Sequence, residues 1–380
     1  MPVVVQSEST DTLRAQSKAL FGTLARVTQE ELNRPAVVLG QRLFWDMRLS
    51  RDGQTACASC HFREAYGADT RVQSTDARGK LTRFHSMTIF NTQQASAGLR
   101  WLADRDSGAA QAIGSVTGSM GFDERTELLP LLQEYGYAPA FEAAFPESGK
   151  AVSIEHYGAA LEAYQRSLRT PAPFDLWLDG DDEALSEREL AGLERFVKLG
   201  CAGCHNGPLL GGGALQRFGV VSDYGSRTGS REPDDGLMRV TGKEEDRYVF
   251  RVQPLRNVAK TAPYFHDGSV KGLKEAIDIM ADVQLGQDLS DEAVAELAVF
   301  LKALTGSMPE HLVRRRACRL SCRRESNKGN RRVRSTECKP SSCGSSSAST
   351  RITRSTLRKE SRLIPDSLRD TEPAEVPVNT

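Results

Sequence analysis

Apolar residues recur every three or four positions in several stretches of the chain, the spacing that gathers side chains on one face of a helix. The clearest run opens at Ser290-Asp291-Glu292, carries Val294, Leu297, Leu301 and Leu304, and meets a candidate stop at Gly306. A second opens at Ser186, gathers Leu190, Leu193, Phe196 and Val197, and runs into Cys201. Residues 154–168, with Tyr157, Leu161 and Tyr164, and residues 124–145, with Leu128, Leu129, Leu131 and Leu132, read as helices, as do residues 12–33 with mixed polarity. Residues 37–43 lead into Phe44-Trp45-Asp46 and then Asp52-Gly53, a turn signal. Residues 65–80 and 207–243 are polar and Gly-rich, which predicts long loops over a site.

The periodic pattern breaks at Pro171-Ala172-Pro173, so a domain boundary is expected near residue 170: one unit over 1–169 and a second over 170–312. Beyond residue 312 large apolar residues are few and Arg and Ser abundant, which predicts a low-complexity, disordered basic tail over 313–380.

Composition changes this picture only through charge. The 380 residues balance 50 basic against 50 acidic side chains, yet residues 313–380 hold 17 basic and 7 acidic ones and the body is correspondingly acidic. A basic surface for nucleic acid is therefore absent from the body, and no nucleic-acid partner is expected. No apolar run approaches the roughly 20 residues of a membrane-spanning helix, and Pro2-Val3-Val4-Val5 is too short for an export-signal core.

Candidate chemistry comes from the cysteines. Cys57-Ala58-Ser59-Cys60-His61 and Cys201-Ala202-Gly203-Cys204-His205 are two C-x-x-C-H motifs; Cys318, Cys322, Cys338 and Cys343 lie in the tail. Two thiols three positions apart can form thioethers to the vinyl groups of one haem, with the adjacent imidazole against the iron. The alternatives are zinc, whose cysteine pairs usually stand about 15–20 residues apart, and a thioredoxin-like redox pair, which needs no histidine. Two c-type haems are the expected cofactors.

From these motifs outward the sequence resembles the bacterial di-haem cytochrome c peroxidase family, MauG-type enzymes included, over about residues 35–312. The resemblance is carried by Leu43-Phe44-Trp45-Asp46, Leu49-Ser50-Arg51-Asp52-Gly53, Cys204-His205-Asn206-Gly207-Pro208 and Phe250-Arg251-Val252 with Leu255-Arg256-Asn257. It continues through Pro263-Tyr264-Phe265-His266-Asp267-Gly268 and Met280-Ala281-Asp282-Val283-Gln284-Leu285-Gly286.

The resemblance implies an all-α fold of two cytochrome c-type domains, each with one covalent haem. The haem at His61 would be the peroxidatic one and the haem at His205 the electron-transfer one. Met280 matches the methionine that closes the second iron, although gap-filling core is the usual fate of a methionine. Trp101 and Gln111 match the inter-haem tryptophan and the active-site glutamine in spacing; the bland reading of Trp101 is a core residue. Relatives at rest commonly hold a distal histidine on a mobile loop. His85 is the free histidine of that region, a candidate iron ligand, but it stands where the family more often has asparagine, and a packed or hydrogen-bonding histidine is the alternative. The family's catalytic glutamate would fall about ten residues after Gln111, where the chain reads Gly118-Ser119-Met120-Gly121-Phe122-Asp123-Glu124; Glu124 or Asp123 is the substitute candidate, a solvated turn the alternative.

Calcium, where the family binds it, would use the carbonyls of Thr261 and Pro263 and the side chain at His85, and imidazole is a poor ligand for so hard a cation. His266 is read as organising the haem interface or as a structural histidine, and His156 and His311 as packing or surface residues. The expected activity is reduction of hydrogen peroxide to water with electrons from a small cytochrome c or cupredoxin. The alternatives are a MauG-like oxidase of protein side chains and a di-haem electron carrier. A homodimer and a periplasmic location complete the expectation, although this chain displays no export signal.

Overall fold

The computed structural model describes residues 10–92, 95–230 and 233–309. Helices dominate these residues: α1 (Thr10–Phe21), α2 (Gln29–Asn33), α3 (Pro35–Trp45), α4 (Gly108–Thr117), α5 (Leu128–Glu134), α6 (Ala138–Ala144), α7 (Ile154–Arg166), α8 (Pro173–Leu178), α9 (Glu187–Lys198), α10 (Tyr224–Thr228), α11 (Met238–Thr241), α12 (Leu273–Leu285) and α13 (Asp291–Ala303). Two three-residue strands, β1 (Leu215–Arg217) and β2 (Val249–Arg251), pair antiparallel with Leu215 opposite Arg251. No described helix is long and apolar enough to cross a membrane. The expectation of a disordered tail, its cysteines and His311 lie outside the described residues.

Local chemistry sets the helix boundaries. Ser186 accepts a hydrogen bond from the Glu189 amide in a capping box at the start of α9, and Ser290 caps α13 through the Ala293 amide. The stretch expected as one helix over 12–33 is two, because α1 ends at Gly22 and Thr28 starts α2 with its own capping box. The stretch 124–145 divides at Gly136, whose φ of +73° is left-handed. Gly306 does not terminate α13: the helix closes at Leu304, and a side chain at 306 would strike the Thr170 carbonyl.

Two matching helix pairs organise the core. α3 crosses α7 where an added Cβ on Gly40 would lie 1.9 Å from the Ala160 carbonyl oxygen and 2.8 Å from Tyr164 Cβ. α9 crosses α13 where a Cβ on Gly192 would lie 2.3 Å from the Glu296 carbonyl oxygen and 2.8 Å from Phe300 Cβ. One turn beyond each glycine stands a phenylalanine. Phe44 meets the Tyr164 ring at 5.4 Å, and Phe196 meets the Phe300 ring at 5.4 Å.

Each pair anchors an apolar cluster, one built from residues 37–168 and one from residues 174–304. The second also takes Leu13 and Phe21 from α1, and Arg14 lies across the Trp177 ring and donates to the Trp177 carbonyl at 2.9 Å. A buried polar knot joins the two stretches: Asn91 and Asn257 both donate to the Thr170 hydroxyl at 2.9 Å, and the Gly306 amide donates to Asn257. Asp175 accepts from both terminal nitrogens of Arg256 and from the amides of Leu24 and Ala172, so this fully buried ion pair is also hydrogen-bonded.

Candidate functional site

Both C-x-x-C-H motifs fold as tight 3₁₀ turns, Cys57–Ser59 and Cys201–Gly203, in which the histidine amide reaches back to the first cysteine's carbonyl at 3.1 Å and 2.9 Å. Each turn follows its glycine-bearing helix, and that helix's phenylalanine faces the motif histidine, Phe44 to His61 at 6.4 Å and Phe196 to His205 at 6.5 Å. His61 Nδ1 lies 2.9 Å from the Gly67 carbonyl, and His205 Nδ1 lies 3.2 Å from the Leu210 carbonyl. A carbonyl can only accept, so Nδ1 carries the proton and Nε2 is the free lone pair. Burial holds both imidazoles below the usual histidine range, against the opposing pull of these carbonyls, so they stay neutral, the form that ligates a metal.

Three of the motif thiols lack the activation of a redox pair. Burial pushes Cys57 up to about 12 and Cys201 up to about 11, and it raises Cys60 as well, whereas reactive cysteines need depressed values. For zinc, the described residues hold no group of three or more His, Cys, Asp or Glu side chains arranged around a common point. A haem fits the donor set better. Beside the second motif opens a cavity of about 270 Å³ whose walls include Cys201, Cys204, His205, Leu297, Leu301 and Met280, apolar except at a few points. Met280, on α12, thus shares a cavity with His205, from which it stands 75 positions away in the chain.

The same cavity reaches toward the first half. His85, Met87 and Trp101 line it, as do Thr261, Pro263 and His266. The Trp101 indole donates to the His85 carbonyl at 2.8 Å, and its ring stands edge-on to His266 at 6.3 Å. His85 is buried, with Nδ1 held 3.1 Å from the Arg71 carbonyl and its amide on the His266 carbonyl. His266 stacks on Phe250 at 4.3 Å, and His156 stacks on Phe145 at 4.2 Å, remote from the cavity lining.

Gln111 is half-buried on α4. Glu124 is exposed, at the start of a surface turn, and Asp123, also exposed, accepts 2.9 Å hydrogen bonds from Arg51 and faces Arg78. Both stand on a solvated turn, the bland reading for this pair. At Gly121, ten residues after Gln111, φ is left-handed at +81° and an added Cβ would lie 3.0 Å from the Ala77 side chain, so a side chain there would be strained. Sequence reasoning passed over Asp69, which is fully buried under the first motif. Burial alone would raise its carboxyl, but hydrogen bonds from Arg71 and Ser74 hold it below the usual range, and Arg71 also donates to the Ser59 carbonyl within the first motif. Gly40 and Gly192 were also passed over, although each stands four residues before its phenylalanine.

Residues 34–183 match the family described as "Di-haem cytochrome c peroxidase". The chain is 38% identical over 308 residues to the cytochrome c551 peroxidase of Pseudomonas aeruginosa, spanning 79% of this chain and 88% of that one. It is 34% identical over 275 residues to the cytochrome c551 peroxidase of Nitrosomonas europaea, 72% and 80% of the two chains. Among solved structures, a MauG-like protein associated with microbial copper homeostasis superposes with a TM-score of 0.65 at 28% identity, covering 74% of this chain and 93% of that one.

Proposed function

Since the chain belongs to the di-haem cytochrome c peroxidase family, we propose that this oxidoreductase reduces hydrogen peroxide to water with electrons from a small cytochrome c or cupredoxin. Two electrons and two protons convert each peroxide into two waters. Residues 1–169 form the domain of the peroxidatic haem and residues 170–312 the domain of the electron-transfer haem, with α1 lent by the first to the core of the second. The observation that carries the reading is the inequality of two otherwise matching motifs: His205 shares its cavity with a thioether, Met280, at the position of the family's methionine.

Cys57 and Cys60 would hold one haem and Cys201 and Cys204 the other, through thioethers, with His61 and His205 as the iron ligands. Bound haem supplies one-electron chemistry, and peroxide chemistry where one axial position is free. The chain's own residues decide which is which. Met280, which shares the cavity with His205, would supply a second protein ligand to that haem and would leave it to relay electrons. Gly67 and Leu210, by accepting from Nδ1, fix each imidazole's tautomer and make Nε2 a stronger donor. His85 lines the cavity that His205 and Met280 share, and its backbone amide is tied to the His266 carbonyl, which supports a structural role at that cavity in place of ligation to the first iron. Trp101, clamped to the His85 carbonyl, bridges the two centres, and Gln111 orients peroxide by hydrogen bonding. No calcium is assigned, because the side chain at its expected position is an imidazole. Covalent haem attachment in bacteria belongs outside the cytoplasmic membrane, which supports a periplasmic site of action.

A second reading, a MauG-like oxidase of protein side chains, is favoured by the exposure of both carboxylates, Asp123 and Glu124, near the family's glutamate position about ten residues after Gln111. One experiment separates the two. With two haems confirmed by mass, stopped-flow mixing with reduced cytochrome c and peroxide is expected to oxidise two donor equivalents per peroxide, and Met280→Ala is expected to slow that oxidation at least tenfold. Donor left reduced by di-haem protein would remove the peroxidase reading, and a partner protein oxidised at Trp or Tyr would support the second.

A further inference from the structure

Two arginines of the quoted family motifs, Arg251 and Arg256, are buried almost completely, at 2% and 1% exposure. Their surroundings are opposite. Arg256 is matched by Asp175, with its remaining donor on the Pro208 carbonyl. Arg251 has no carboxylate within ion-pair distance among the described residues. Its Nη1 donates to the Gly98 carbonyl at 3.2 Å, and its Nη2 is shared between Met87 Sδ at 3.2 Å and Gln253 Oε1 at 3.1 Å. Nε is buried and has no partner.

An unmatched guanidinium in the interior is costly, since its charge is desolvated without a counter-charge, and an orphaned N–H adds its own penalty. Burial without an acid pulls Arg251 down to about 10. The position is nevertheless held firmly. The Arg251 amide donates to the Trp101 carbonyl at 2.8 Å, β2 pairs it opposite Leu215, and Gln253 Nε2 donates back to the Arg251 carbonyl. Arg251 lines the cavity that Cys201, Cys204, His205 and Met280 also line. A haem there brings two propionate carboxylates, anions of the planar, two-oxygen kind that guanidinium groups recognise.

We infer that Arg251 is a cofactor-binding residue whose free Nε–H and buried charge pair with a propionate of the haem held at Cys201, Cys204 and His205. This rests on the reading of that motif as a haem site. The pairing would complete the donor count of Arg251 and supply the missing negative charge. A cation at the haem rim also favours the reduced iron, which carries one positive charge fewer than the oxidised one, so Arg251 raises the potential of the entry centre.

The test uses holoprotein of Arg251→Gln and Arg251→Lys. Mass measurement counts the haems, and spectroelectrochemical titration follows each haem separately. The glutamine variant is expected to lower the reduction equilibrium constant of the His205 haem about tenfold, a fall of about 59 mV for one electron, while the lysine variant recovers at least half of the shift and the His61 haem changes least. Unchanged potentials in a glutamine variant carrying both haems would overturn the inference. If that variant fails to mature, resonance Raman of the wild-type protein decides: the propionate bending mode is expected to shift in D₂O and between wild type and Arg251→Lys, and a mode that ignores both overturns the pairing. Wild-type protein without added mass at Cys201 and Cys204 overturns the haem-site reading itself, and this inference with it.

Discussion

Replacing Gly40 by alanine adds one methyl group at the crossing of α3 and α7, and the geometry there makes the cost calculable. The new Cβ would sit 1.9 Å from the Ala160 carbonyl oxygen and 2.6 Å from the Ala160 carbonyl carbon, where ordinary contact begins at 3.4 Å. The helices must therefore separate by about 1.5 Å, and the obstacle is backbone, which cannot swing aside as a side chain would. Overpacking of this kind costs about 1–3 kcal/mol, with the upper end expected for a backbone clash. Better helix propensity returns about 1 kcal/mol, so a net loss of about 2 kcal/mol is expected. Phe44 rides on the same helix, so its contact with the His61 ring should loosen, visible as a shifted Soret band of the first haem. Urea unfolding followed by circular dichroism measures the loss. Gly192→Ala should behave alike, and Gly203→Ala, with nothing within 4 Å of its added Cβ, should be neutral. A Gly40→Ala protein as stable as the wild type, with an unmoved Soret band, would refute the close-packing argument.

Asp175→Asn leaves the Arg256 guanidinium buried without its counter-charge, and a loss of about 3–5 kcal/mol is expected from urea midpoints; a change under about 1 kcal/mol would mean the pair is not the tie described. Asp69 has a carboxyl held below its ordinary value, so it contributes stability that is present above the unfolded value of 3.8 and is lost as pH falls through the lower, folded value. Asp69→Asn should therefore lower stability at neutral pH and flatten its decline below about pH 4, and an acid limb identical to that of the wild type would contradict the assignment.

Much of the site was legible because its chemistry demands contiguous residues: a C-x-x-C-H turn must be written in one piece, and its two copies stand out in any background. α9 and α13 were equally plain, since Ser186 and Ser290 announce their starts and the apolar stripe follows at once. The stretches 12–33 and 124–145 read too long because helical spacing continues across the breaks at Gly22 and Gly136. α4 went unseen; its Gly108 and Gly114 weaken the helical signal, and its form is settled by packing on α7. Arg251 resisted a local reading altogether, as its lack of an acid is a property of its surroundings and not of its neighbours in the chain. The likeness of Gly40 with Phe44 to Gly192 with Phe196 was there to be read, but four-residue spacing of small and aromatic residues is too common to notice until the crossings give it meaning.

The placement of α1 has a bearing on how the molecule comes into being. Leu13 and Phe21 emerge early from the ribosome, yet their partners Phe174, Trp177 and Phe300 are made far later, and Arg14 waits for a carbonyl 163 positions downstream. Contacts so distant along the chain delay folding, because the loop they close must be ordered before it is rewarded. The nascent protein thus carries the apolar side chains Leu13 and Phe21 uncovered until residues 174–304 have been made, and a polypeptide cut near residue 170 yields a latter half whose hydrophobic interior lacks a wall.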